Sequence, residues 1–261
     1  MSPATVLEIV ARTDPGMIRP HNEDAVFADP ARGLAILADG MGGYNAGEVA
    51  SSMATTLLGE ALAAPPDAGQ SVREFVLAQI AEVNAEIFYA AQNQPQFAGM
   101  GTTLVVAWLH EKTLTVAHIG DSRLYRSRGN AFEQLTRDHS LLQEQLDSGM
   151  ISAFEARYSR HKNLVTRALG VSLTVEPEIQ DYGVLAGDIY LLCSDGLNDM
   201  VDDEEIGLTL RALEGDLGLA ADQLVQLANE SGGRDNVSVI LVGVRGDIPA
   251  QAGWWRKLLA G

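Results

Sequence analysis

The chain has 261 residues, 46% of them hydrophobic and 20% charged, with a net charge of −17 at pH 7, a balance that suits a folded domain with a buried core and excludes a disordered or fibrous chain. So acidic a protein excludes nucleic acid as a principal partner, because phosphate backbones are neutralised by Lys and Arg, and it excludes electrostatic attachment to anionic lipid. The single cysteine, Cys193, excludes an internal disulfide and a cysteine-based zinc cluster.

The first residues lack a basic start followed by an apolar stretch, and no apolar run approaches the roughly 18 to 20 residues that span a bilayer. A cytoplasmic location is expected. Short β-rich runs at Val6 to Ala11, Ala25 to Ala28 and Leu34 to Ala38 are divided by Gly, Pro and Asp. Two helical stretches follow. The second places Val72, Val76, Ile80, Val83 and Ile87 on one face, and Ser71 with Glu74 makes a capping box at its start. Strands return at Thr103 to Leu109, Leu114 to His118 and Arg123 to Ser127. Asp138 to Arg160 is polar and carries capping-box patterns at Ser140 with Gln143 and Ser152 with Glu155, so a small helical excursion is predicted there. Strands at Val175 to Tyr182 and Ile189 to Cys193 precede helices over Asp203 to Leu213 and Leu219 to Asn229, and a last strand runs Val237 to Val244. Clustered antiparallel strands with inserted helices predict an α+β layered domain, not alternating βαβ units.

The informative feature is where the aspartates fall. Asp39 ends the apolar run Leu34 to Ala38 and precedes Gly40, while Asp195 ends Ile189 to Cys193 and precedes Gly196. Asp121 follows Val116 to Gly120, and Asp235 precedes the last strand. A single Asp-Gly also reads as a turn. Four carboxylates at strand ends beside glycine can converge on one point, where glycine lets a backbone carbonyl approach a cation. Oxygen ligands without Cys or a His pair select magnesium or manganese over zinc. The glycines from Gly40 to Gly47 are not followed by Gly-Lys-Ser or Gly-Lys-Thr, Asn45 breaks the dinucleotide spacing, and the histidines form no HExxH pattern. His118, inside a strand, reads as a structural residue.

Thr13-Asp-Pro-Gly-Met-Ile-Arg-Pro-His-Asn-Glu-Asp24 resembles the opening motif of the type 2C, metal-dependent Ser/Thr phosphatases. Ala38-Asp-Gly-Met-Gly-Gly43, Gly101-Thr-Thr103, Gly120-Asp-Ser-Arg123, Ser194-Asp-Gly-Leu197 and Asp235-Asn236 match the remaining motifs in order, and Thr136-Arg-Asp-His-Ser140 points to the bacterial branch. The resemblance implies a central antiparallel β-sandwich flanked by helices on both faces, with metals at one end. It implies that Asp39 bridges two cations, Mn2+ or Mg2+, with the Gly40 carbonyl on one and Asp195 and Asp235 on the other. Glu23 and Asp24 would orient water on the metals, Arg19 would clamp the substrate phosphate, and Asp121 with Asp195 would hold a third cation. Many eukaryotic relatives have histidine where Met41 stands; methionine gives no proton, so a metal-bound water is the expected acid. By the same resemblance the substrates are phosphorylated proteins and the chain, a monomer, opposes a Ser/Thr kinase. The alternative is a phosphoserine phosphatase acting on an anti-anti-sigma-type regulator. Residues 1–246 are expected to form the catalytic domain, with a flap at about 138–165, and residues 247–261 a tail whose Trp254, Trp255, Arg256 and Lys257 lie outside the core.

Overall fold

The computed structural model describes residues 6–43, 46–64, 66, 69–156 and 164–246. In chain order its strands are β1 (Leu7–Asp14), β2 (Asp24–Asp29), β3 (Leu34–Met41), β4 (Gly101–Thr102), β5 (Leu104–His110), β6 (Thr113–Ile119), β7 (Arg123–Arg128), β8 (Ala131–Gln134), β9 (Glu178–Gly183), β10 (Ile189–Cys193) and β11 (Val237–Val244). The helices are α1 (Ala46–Ala61), α2 (Val72–Asn93), α3 (Leu141–Asp147), α4 (Ala153–Ala156), α5 (Asp195–Asn198), α6 (Asp203–Ala212) and α7 (Leu217–Glu230). One sheet runs β1-β11-β10-β7-β8 and the other β2-β3-β5-β6-β9, and the paired strands are antiparallel.

Three apolar layers explain why the central strands read as unbroken hydrophobic runs. In β3, Ala35 and Leu37 point between the sheets, where they meet Val105, Val116, Tyr190, Leu192 and Ile240. Leu34, Ile36 and Ala38 point the other way, against Ala50, Ala54 and Leu58 of α1 and Ile80 and Ile87 of α2. On the far face, Leu191, Val239 and Leu241 pack under Ile206 and Leu210 of α6 and Leu224 of α7. A strand buried on both faces shows no polar alternation, which removes the period-2 signal but keeps the β-branched bias. The α-β-β-α sandwich expected from the sequence is the fold observed.

The capping box at Ser71 and Glu74 forms in both directions, as does that at Ser152 and Glu155. At Ser140 only half forms: its hydroxyl accepts from the Gln143 N–H, while the Gln143 side chain turns to Asp147. The strand expected from Val175 begins only at Glu178. Pro177 precedes it, and a residue without an N–H cannot enter the ladder with β6. Strand β8 was not expected; its pattern of exposed residues at the sheet edge carries no apolar signal. The two ends of the segment expected to form a flap are tied together, where Leu141 donates to Leu164 O, Thr166 donates to His139 O, and Ser140 bridges Val165. The tail residues Trp254 to Lys257 lie outside the described residues.

Candidate metal centre

At one end of the sandwich, four segments deliver an aspartate to the same place. Antiparallel register between β2 and β3 sets Asp24 opposite Asp39. The Asp39 N–H donates to Thr103 Oγ1 at 3.0 Å, and the Thr103 N–H donates back to Asp39 O at 2.9 Å. Gly40, next along, donates to Glu23 O at 3.1 Å. A side chain cannot stand at Gly40: a Cβ there would lie 2.1 Å from Gly47 O. Asp195 opens α5 directly after β10, and Gly196 passes so close to Asn236 O that a Cβ would come within 2.0 Å. Asp235 leads into β11.

Asn236 ties these pieces together. Its Oδ1 accepts from the Glu23 N–H at 2.8 Å, and its Nδ2 donates to Pro15 O and His21 O at 3.0 and 2.9 Å. One buried amide thus fixes the loop carrying Arg19 and Glu23 onto the residue beside Asp235. Arg19 Nη2 in turn donates to Asp235 Oδ2 at 2.6 Å.

The result is a cavity of about 230 Å3 lined by Arg19, Glu23, Asp39, Gly40, Met41, Thr103, Asp121, Val165, Asp195, Asp235 and Asn236, among others. Of the eight residues singled out in the sequence, Asp24 alone stands behind this wall, where its Oδ2 accepts from Ser194 Oγ at 2.8 Å. A neighbouring cavity of about 240 Å3 shares Asp121 and Asp195 and is also lined by Arg123, Asp138, Ser140, Leu142, Asn198 and Asp199.

Electrostatically the arrangement is strained. Burial, reinforced by the charges of Asp24, Asp195 and Asp121, lifts the Asp39 carboxyl well above the usual carboxylate range. Burial and the Asp121 charge do the same to Asp195. Asp121 is raised to about 6, by burial and then by Asp138, and Asp24 to about 6 by burial. Glu23 is raised by burial against the opposing pull of Arg19. Asp24 Oδ1 is buried with no hydrogen-bond partner among the described residues. One guanidinium does not balance so many carboxylates; divalent cations would. The donor set fits magnesium or manganese, being carboxylate and carbonyl oxygen without thiolate or imidazole.

Thr103, Ser194 and Asn236 hold the site together, yet the sequence reading gave them no role. The signal was present, since all three lie in the ordered motifs, but a polar residue that positions a neighbour leaves no mark in spacing or periodicity.

Residues 20–229 match the family described as Protein phosphatase 2C. The serine/threonine phosphatase stp of Listeria welshimeri is 41% identical over 236 residues, covering 88% of this chain and 93% of that protein. The crystal structure of serine/threonine phosphatase Stp1 from Staphylococcus aureus superposes with a TM-score of 0.86 at 36% identity, covering 94% of this chain and 98% of that one. The catalytic domain of the serine/threonine protein phosphatase PstP, solved in complex with 2 manganese ions, gives 0.83 at 38% identity over 92% of this chain and 99% of that one. Ordered motifs, a shared sandwich and close sequence relatives agree: this chain belongs to the protein phosphatase 2C family.

Proposed function

We infer that the chain is a metal-dependent phosphatase that hydrolyses phosphoserine and phosphothreonine in proteins, with Asp39, Asp195, Asp235 and the Gly40 carbonyl holding two divalent cations, manganese or magnesium. Asp121 with Asp195 holds a third. The observation that carries this reading is the meeting of four aspartates from four chain segments in one cavity beside Arg19. The named relatives favour it over a phosphoserine phosphatase acting on an anti-anti-sigma-type regulator.

The cations, when bound, lower the pKa of water and offset the phosphate charge. The chain supplies the rest. Arg19 presents a planar fork to the phosphate oxygens, exchanging its contact with Asp235 for the substrate. Glu23, in the wall, accepts hydrogen bonds from water and sets its direction, while Asp24 stands behind the wall on Ser194 and acts on the site through its charge beside Asp39. The Thr103 and Asn236 bonds keep Asp39 and Asp235 from shifting as charge moves, which is the preorganisation that electrostatic catalysis requires. Met41 lines the cavity without a transferable proton, so the leaving serine or threonine oxygen takes its proton from water. Cys193 is fully buried in β10 and burial pushes its thiol far up. It is no nucleophile, and the phosphate passes directly to water.

A phosphoprotein substrate implies a kinase that makes it, and we assign the chain to the opposite arm of a Ser/Thr kinase circuit, as a cytoplasmic monomer whose catalytic unit is residues 1–246. No helix among the described residues is long and apolar enough to cross a membrane. Hydrolysis of phosphothreonine and phosphoserine peptides should cease after chelation and return with Mn2+. Undiminished turnover in EDTA refutes the reading.

A further inference from the structure

Outside the aspartate cavity, His118, His139 and Glu178 form a second group of ligand-type side chains, with donor atoms within 4.8 Å of one another. Both imidazoles are buried, at 3% and 7% exposure. Their geometry refuses a cation. The rings are stacked, with centroids 4.7 Å apart and planes 20° from parallel. An imidazole binds a metal in its own plane, and two planes stacked so nearly parallel do not meet at coordination distance.

The hydrogen bonds say what the group does instead. His118 Nε2 donates to Arg137 O at 2.8 Å, which anchors the strand of chain leading to His139. The His139 N–H donates to Gly120 O at 2.8 Å, and the Gly120 N–H donates to His139 Nδ1 at 3.2 Å. Since Nδ1 accepts, the ring proton sits on Nε2. That nitrogen faces Glu178 Oε2 at 3.7 Å, which is too long for a hydrogen bond, and it has no closer partner among the described residues. Nε2 therefore offers no lone pair to an ion. Burial holds the His139 pKa down to about 4, so the ring stays neutral near pH 7.

Both polar groups of Gly120 are thus gripped by one residue. Gly120 adopts φ +98°, and a Cβ there would strike Thr103 Cγ2 at 2.7 Å, so the corner admits only glycine and lies against the residue that holds Asp39. The next residue is Asp121. We propose that His139 is a positioning residue: through Nδ1 and its main-chain N–H it fixes Gly120 and so aims the Asp121 carboxylate beside Asp195, toward a third divalent cation. The proposal rests on the role assigned to Asp121 above. It gives the Thr136-Arg-Asp-His-Ser140 segment, which supplies no ligand to the cavity, a part in building it.

The test compares two amides. In His139→Asn the side-chain oxygen stands where Nδ1 stands and can accept from Gly120. In His139→Gln it stands one bond too far. Mn2+ binding to the metal-free full chain, followed by calorimetry, should show a weak site that Asp121→Ala abolishes. His139→Gln should weaken that site by about 10- to 100-fold, the usual cost of losing a residue that orients a ligand, and His139→Asn should stay within about threefold of wild type. His139→Leu, matched in size and without an acceptor, should behave as His139→Gln, so the contrast survives if one of the two fails to fold. If Asp121→Ala abolishes the weak site while Gln, Leu and Asn variants all bind as wild type, or all bind equally poorly, the positioning role is overturned and the role of Asp121 stands. If Asp121→Ala keeps every site, both fall together.

Discussion

Replacing Asp121 with Asn should make the chelated protein more stable and the metal-loaded enzyme slower. Asp121 is 7% exposed, and burial with the nearby Asp138 raises its carboxyl from an ordinary 3.8 to about 6. A folded pKa above the unfolded one means the folded state holds the proton more tightly. Its stabilising contribution is complete below about pH 4 and is lost as pH rises through about 6. At pH 7.5 the buried charge therefore costs about 3 kcal/mol, at 1.36 kcal/mol per tenfold change. Asn removes the charge but leaves an amide to satisfy, at about 1 kcal/mol. The net gain of about 2 kcal/mol corresponds to roughly 4 to 8 °C in Tm for a domain of this size. At pH 5 the charge penalty falls to about half, and the gain shrinks with it. Thermal melts in EDTA at pH 7.5 and 5 measure both effects. With Mn2+ in excess the order should reverse, because the wild-type carboxylate then has a cation to stabilise it. A lower Tm for Asp121→Asn in EDTA at pH 7.5, or a gain independent of pH, refutes the charge argument.

Arg19→Ala should raise KM for phosphopeptides, and Arg19→Lys should recover only part of the loss because an ammonium lacks the bidentate fork; steady-state kinetics decides. Gly196→Ala should abolish soluble folded protein, since its Cβ would meet Asn236 O at 2.0 Å, whereas Gly215→Ala, with open space around it, should express and melt close to wild type. Deleting residues 247–261 should leave peptide phosphatase activity intact, and a large loss would place the tail within the catalytic unit.

The sequence was most legible where chemistry and hydrophobicity change together. Ile189 to Cys193 followed by Asp195, and Asp235 followed by Val237 to Val244, mark abrupt switches from charge to a fully apolar strand, and both strands have the boundaries expected. Seven of the eight singled-out residues line the cavity: the four aspartates and Gly40 lie at such strand ends, whereas Arg19 and Glu23 sit in the loop between β1 and β2 and were marked by the resemblance alone. Asp24 behaves differently because its neighbour in the ladder, Asp39, points into the cavity while Ser194 draws the Asp24 carboxylate into the interior. Which way a side chain turns at the mouth of a sandwich depends on such a partner from a distant segment. Strand β8 and the late start of β9 were illegible for local reasons, a four-residue edge with Phe132 as its one core-packed residue and a proline that cannot pair. The Asn236 clamp and the grip of His139 on Gly120 join residues far apart in sequence, and only the folded chain displays them.

The central claim is that convergent aspartates drive phosphate hydrolysis through cations they would hold, and Asp39, proposed as a ligand to both of the paired cations, bears most of that claim. The direct measurement is kcat of Asp39→Asn on a phosphothreonine peptide at saturating Mn2+, beside a wild-type control of equal circular dichroism. A loss of at least about 10²-fold is predicted, on the scale of removing a major electrostatic contribution. Turnover within a few fold of wild type would contradict the account.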